Sequence, residues 1–150
     1  MLKRVQEIHP EHFLPYLRMG LVLVEKRQYK QAIAALKKAV RLANQSTETQ
    51  AALALAYAAG GEKKAAIQLT SELENSQAQR YVLPYNIAKI YAAGGSSEKA
   101  FAWLDKAYDE GNPDLIELNS EPVFDRLRGD ARFTRLMQQV GWNIPAGANS

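Results

Sequence analysis

Residues 15–39 read PYLRMGLVLVEKRQYKQAIAALKKA, and the chain writes the same pattern twice more. It returns as TQAALALAYAAGGEKKAAIQLTSEL at 49–73 and as LPYNIAKIYAAGGSSEKAFAWLDKA at 83–107. Aligned at 34-residue steps, Gly20, Ala54 and Ala88 share a column, as do Ala32, Ala66 and Ala100, and Ala39, Leu73 and Ala107. That period is the length of a helix–turn–helix repeat. One such unit cannot bury its apolar face alone, so its helices stack on neighbours and leave a concave surface open for binding. The expected fold is therefore all-α, a solenoid of antiparallel helix pairs.

Within each repeat the apolar residues recur at helical spacing. Tyr16, Met19, Gly20 and Leu23 mark a first helix, with a turn expected at Arg27-Gln28. Tyr29, Ala32, Ile33, Leu36, Ala39, Val40 and Leu42 share one face of the next. Ser46-Thr47 offers an N-cap to an Ala-rich helix. The pairs Gly60-Gly61 and Gly94-Gly95 stand where a helix must stop. Pro84 suits a first helical turn. Small residues in the columns let two helix backbones approach closely.

Tyr16-x2-Met19-Gly20-x2-Leu23 with Ala32-x3-Leu36 resembles the tetratricopeptide repeat. Leu53-Ala54-x2-Tyr57 with Ala66, and Ile87-Ala88-x2-Tyr91 with Ala100-x3-Leu104, repeat the resemblance. Gln50 and Pro84 depart from it in a column usually held by a large aromatic, and Thr70 in one usually large and apolar. The resemblance implies a right-handed superhelix with repeats at 13–46, 47–80 and 81–114. Leu2, Val5 and Pro10 fit the same register one step earlier, so residues 1–12 read as the tail of an upstream half-repeat. We expect a chain cut from a longer protein rather than a native half-repeat cap, because a stranded half-repeat leaves an unpaired apolar edge.

After Asp114 the period is expected to end. Pro113–Leu118 and Glu121–Arg128 read as short helical turns, and Gly129-Asp130 as the break before a last helix, Ala131 to Val140. Phe133, Leu136, Met137 and Val140 fall on one face, suited to closing the array over residues 115–142; residues 143–150 read as a flexible tail. Glu121-Pro122, Phe124-Asp125, Leu127-Arg128, Asp130-Ala131-Arg132-Phe133 and Gly141 are similar to the closing element of bacterial multidomain proteins ending in such arrays. Those include winged-helix regulators, cyclases and Ser/Thr kinases. The resemblance implies an effector domain upstream and, as an alternative function, a regulatory or sensory C-terminal domain.

Composition sets limits on chemistry. With 47% hydrophobic and 23% charged residues the chain is ordinary for a globular protein, and no apolar run suggests a membrane span. No secretory signal opens it, so a cytoplasmic location is the default. The absence of cysteine excludes disulfides and thiolate metal sites. His9 and His12 are the only histidines, and no third ligand clusters with them. No phosphate-cradling glycine loop or nucleophile constellation appears. Asp125, Arg128, Asp130 and Arg132 read as an ion-pair cluster fixing the cap. No enzyme activity, metal or cofactor is expected.

The net charge of +3 is uneven: residues 1–46 carry +6, residues 47–114 carry −3 and the remainder is neutral. A basic end is compatible with nucleic acid, but no aromatics interleave with the charges to stack bases, so that reading ranks last. In tetratricopeptide solenoids the first helix of each pair lines the concave face. The candidate partner-binding groove is then Leu17, Arg18, Leu21 and Val24, with Leu55, then Tyr85, Asn86 and Lys89. Large apolar residues there are expected to be unnecessary for stacking. The expected function is a non-catalytic module that binds a peptide or helix of a partner protein, with self-association possible at the same face.

Overall fold

A computed structural model describes residues 12–76 and 81–141. Those residues form seven α-helices and two 3-10 turns, with no strand among them. The chain divides into two compact units, Met1–Val82 and Leu83–Ser150.

In the first unit α1 (Leu14–Glu25) pairs with α2 (Tyr29–Leu42), and α3 (Thr47–Ala59) with α4 (Lys63–Asn75). The second hairpin stacks on the first through α3, which packs against both α1 and α2. Gly20 shows why the small-residue column exists. A β-carbon added there would lie 2.4 Å from Leu36 Cγ, so α1 and α2 are in contact at that point with only hydrogen between them. All nine column residues are buried, as expected of packing positions. Thr70, which stands where an apolar residue is usual, keeps its place by donating its hydroxyl to the Ala66 carbonyl at 2.6 Å.

The turns inside the hairpins repeat atom for atom. The amides of Gln28, Glu62 and Ser96 each donate to the carbonyl five residues back, Leu23, Tyr57 and Tyr91, at 2.9 Å. This closure needs a left-handed residue just before the donor. Gly61 and Gly95 supply it at φ +83° and +85°, whereas the first hairpin uses Arg27 at φ +63°. Ser46 caps α3 as expected, its hydroxyl accepting from the Thr49 amide.

The second unit holds α5 (Pro84–Ala93) and α6 (Ser97–Asp109), then 3-10 turns at Pro113–Glu117 and Pro122–Leu127, then α7 (Ala131–Val140). One buried cluster joins Tyr85, Phe101, Leu104, Leu115, Leu118, Phe124, Phe133 and Leu136. Proline at the start of α5 removes one amide from the four that a helix start leaves unbonded. The buried Asn112 side chain then accepts the Tyr85 amide at 3.2 Å, capping α5 from the far side of the hairpin.

One feature of the repeat register, the spacing of the N-caps, continues past residue 114. Gln28, Glu62, Ser96 and Asp130 are the N-caps of α2, α4, α6 and α7, and each lies 34 residues beyond the last. The cap thus occupies the register of a fourth repeat, with two 3-10 turns where a first helix would run. Pro113 and Pro122 open those two turns, since proline is tolerated only at the start of a helical segment and cannot donate within it. Arg132 carries the register in a side chain, reaching Glu98 at 2.9 Å across 34 residues.

Candidate partner-binding surface

The candidate residues fall in both units. In the first, Leu17 and Leu55 are 6% and 7% exposed, so neither offers its side chain to a surface partner, and Leu17 belongs to the core cluster of that unit. Leu21 and Val24 are half-buried and pack at the margin of the core cluster. Arg18 is exposed on the same helix. Beside them Val22 is 48% exposed, a residue the sequence reading passed over because it lies off the apolar stripe. The face of α1 is thus apolar at its centre and basic at its edge, with Glu25 its one acidic residue.

In the second unit the structure sets the candidates to other work. Tyr85 is only 2% exposed and meets Phe124 edge-on, with ring centroids 5.7 Å apart. The expectation that Tyr85 is dispensable for packing is therefore corrected: the cap is built on its ring. Its buried hydroxyl makes no hydrogen bond of standard geometry, and the carboxylate that bears on it most is that of Glu121. Burial, and then the nearby carboxylates of Glu121, Asp114 and Glu117, hold that hydroxyl protonated far above the usual phenol range. Lys89 is held by Glu121 at 3.5 Å and lies over the Tyr85 ring at 5.8 Å. Asn86 is half-buried. Glu121 was legible only as part of the cap motif; nothing in its spacing pointed to Lys89.

The cap charges sort into two pairs rather than one cluster. Arg128 donates to Asp125 at 2.9 Å and to the side chain and carbonyl of Asn119. Arg132 pairs with Asp130 and Glu98, both at 2.9 Å, and stacks over Phe101 at 4.3 Å. The Asp130 carboxylate also accepts the Arg132 amide, so one residue caps α7 and anchors the guanidinium. Hydrogen bonds from the Arg132 side chain and backbone hold the Asp130 carboxyl below its ordinary range.

Among the described residues no three His, Asp or Glu side chains are placed to hold a metal ion. His12 stacks on Phe13 at 6.0 Å, while His9, the other half of the candidate histidine pair, lies outside the described residues. No helix among the described residues is long and apolar enough to cross a membrane.

The family model described as "Tetratricopeptide repeat" matches residues 15–46, which span α1, α2 and the turn after them. No match was found among curated proteins or solved structures. The matched segment, residues 15–46, is thus similar to a tetratricopeptide repeat, and it folds as a helical hairpin that stacks on a second of the same register.

Proposed function

We propose that the chain is a non-catalytic protein-interaction module whose first unit captures an amphipathic segment of a partner protein along α1. The observation that carries this reading is the face of α1 itself. Leu21, Val22 and Val24 remain partly accessible on α1, Leu17 is buried on the same helix, and Arg18 is exposed beside them. An incoming helix offering apolar residues at i, i+3, i+4 and i+7 would cover that strip, and acidic residues on its flank would meet Arg18. Tyr85 and Lys89 belong to the cap in this reading and Leu17 and Leu55 are buried, so the groove narrows to Arg18, Leu21 and Val24.

Panning a library of displayed amphipathic peptides against the full chain, with the Leu21→Glu variant as counter-target, tests it. Selected peptides should share apolar residues at helical spacing with acidic neighbours, and should lose binding to the variant. Peptides that bind parent and variant equally would place the functional surface elsewhere.

The similarity of residues 121–141 to the closing element of bacterial regulators supports a second reading, a regulatory domain within a larger signalling protein. There the α1 strip contacts an upstream effector domain. A gene reading continuously into such a domain would support it.

A further inference from the structure

The exposed side of the second helix in each pair carries a charge pattern that inverts from the first repeat to the third. On α2 the exposed stripe is Lys30, Ala34, Lys37 and Arg41. The positions in identical register on α6 are Glu98, Ala102, Asp105 and Asp109, all exposed. Every cation of the first stripe is replaced by an anion in the last, and the small residue between them stays alanine. The matching stripe on α4, Lys64, Gln68, Ser71 and Asn75, is nearly neutral.

Most of these charges have no ion-pair partner among the described residues. Lys30, Lys37, Arg41, Asp105 and Asp109 form no ion pair among the described residues, whereas Glu98 is drawn to Arg132. α2 contains no acidic residue at all. Equal helical spacing on both stripes means that two such helices laid parallel and in register bring Lys30, Lys37 and Arg41 to Glu98, Asp105 and Asp109, with Ala34 opposite Ala102 leaving room for close approach.

We propose that a second copy of this chain docks here, the basic stripe of α2 on one copy meeting the acidic stripe of α6 on the other. Two different stripes that match each other through the repeat register make a head-to-tail contact between identical chains. Neither stripe includes a residue of α1, so the two proposals stand or fall independently.

Charge reversal in trans provides the test. One variant carries Lys30→Glu, Lys37→Glu and Arg41→Glu; the other carries Asp105→Lys and Asp109→Lys, sparing Glu98 because it anchors the cap. Sedimentation velocity is run at about 0.01 M salt, where screening is weak, and at about 0.5 M, where it is strong. The parent should self-associate at low salt and dissociate at high salt. Each variant alone should sediment as a monomer, and the equimolar mixture should associate again. Helicity by circular dichroism confirms that both variants fold. A parent that stays monomeric at low salt, or folded variants that self-associate as the parent does, overturns the proposal. So does a mixture that fails to re-form the complex. Should either variant misfold, the salt dependence of the parent still decides.

Discussion

Replacing Gly20 by alanine sets two known effects against each other. Gly20 lies inside α1, where alanine is favoured over glycine by about 1 kcal/mol of helix propensity. The new methyl group, however, would fall 2.4 Å from Leu36 Cγ and 2.5 Å from its Cδ2, where carbon–carbon contact prefers about 3.5–4.0 Å. Leu36 has no exposed surface, and its branching carbon rather than a flexible tip is in the way. Overpacking of this kind costs about 1–3 kcal/mol, and a contact this short belongs near the upper end. The net expectation is a loss of about 1–2 kcal/mol. With a urea slope of about 1–3 kcal/mol per M, the midpoint of unfolding followed by circular dichroism should fall by roughly 0.5–1 M. A cycle with Leu36→Ala isolates the cause. That change alone should cost about 2–5 kcal/mol, but less in the Gly20→Ala background, where the new methyl occupies part of the vacated space. A coupling of about 1 kcal/mol or more is expected. A raised midpoint for Gly20→Ala, or strict additivity in the cycle, would refute the close approach of α1 to α2.

Three further outcomes follow from the same geometry. Arg27→Gly should raise the melting temperature slightly, because it relieves a left-handed residue, while Gly61→Ala should cost about 1–2 kcal/mol although no atom lies within 4 Å of the new methyl; equal and opposite results would remove the backbone argument. Tyr85→Phe should leave stability within about 1 kcal/mol of the parent, since it deletes a buried hydroxyl that makes no hydrogen bond of standard geometry, whereas Tyr85→Ala should cost about 3–5 kcal/mol; similar urea midpoints for both variants would show that the hydroxyl, not the ring, supports the cap. The depressed Asp130 carboxyl contributes stability above its ordinary value of 3.8, and that contribution is lost as pH falls through the lower value it has when folded. Asp130→Asn keeps an N-cap but not the ion pair, so its melting temperature should vary less than the parent's through this acid range; superimposable pH profiles would exclude the linkage.

Several elements were legible in residues 15–39 and their two echoes because the physics there is local. Apolar residues at helical spacing define each helix, Ser46 caps from within its own turn, and Gly61 and Gly95 satisfy a backbone angle that little else tolerates. The cap was harder. Its 3-10 turns replace a helix in the repeat register, and proline and polar residues there erase the small-residue columns that signal the period, so continuity to Asp130 emerged only from the N-cap positions. The candidate surface divided along the same line. Leu21 and Arg18 could be placed on α1 from spacing, but spacing does not say whether a helix face is left open. Tyr85 and Lys89 occupy equally suitable positions on α5, yet Phe124 and Glu121, more than 30 residues away in sequence, close over them.

By itself, then, the sequence determined the helical period, the positions of the turns and the columns along which helices touch, because each depends on neighbours within one or two turns of chain. Tertiary structure alone decided which apolar residues remain accessible and which charges find partners. Burial and ion pairing depend on segments that meet only after folding: Asn112 caps α5, Glu98 takes Arg132, and Lys30, Lys37 and Arg41 are left facing solvent.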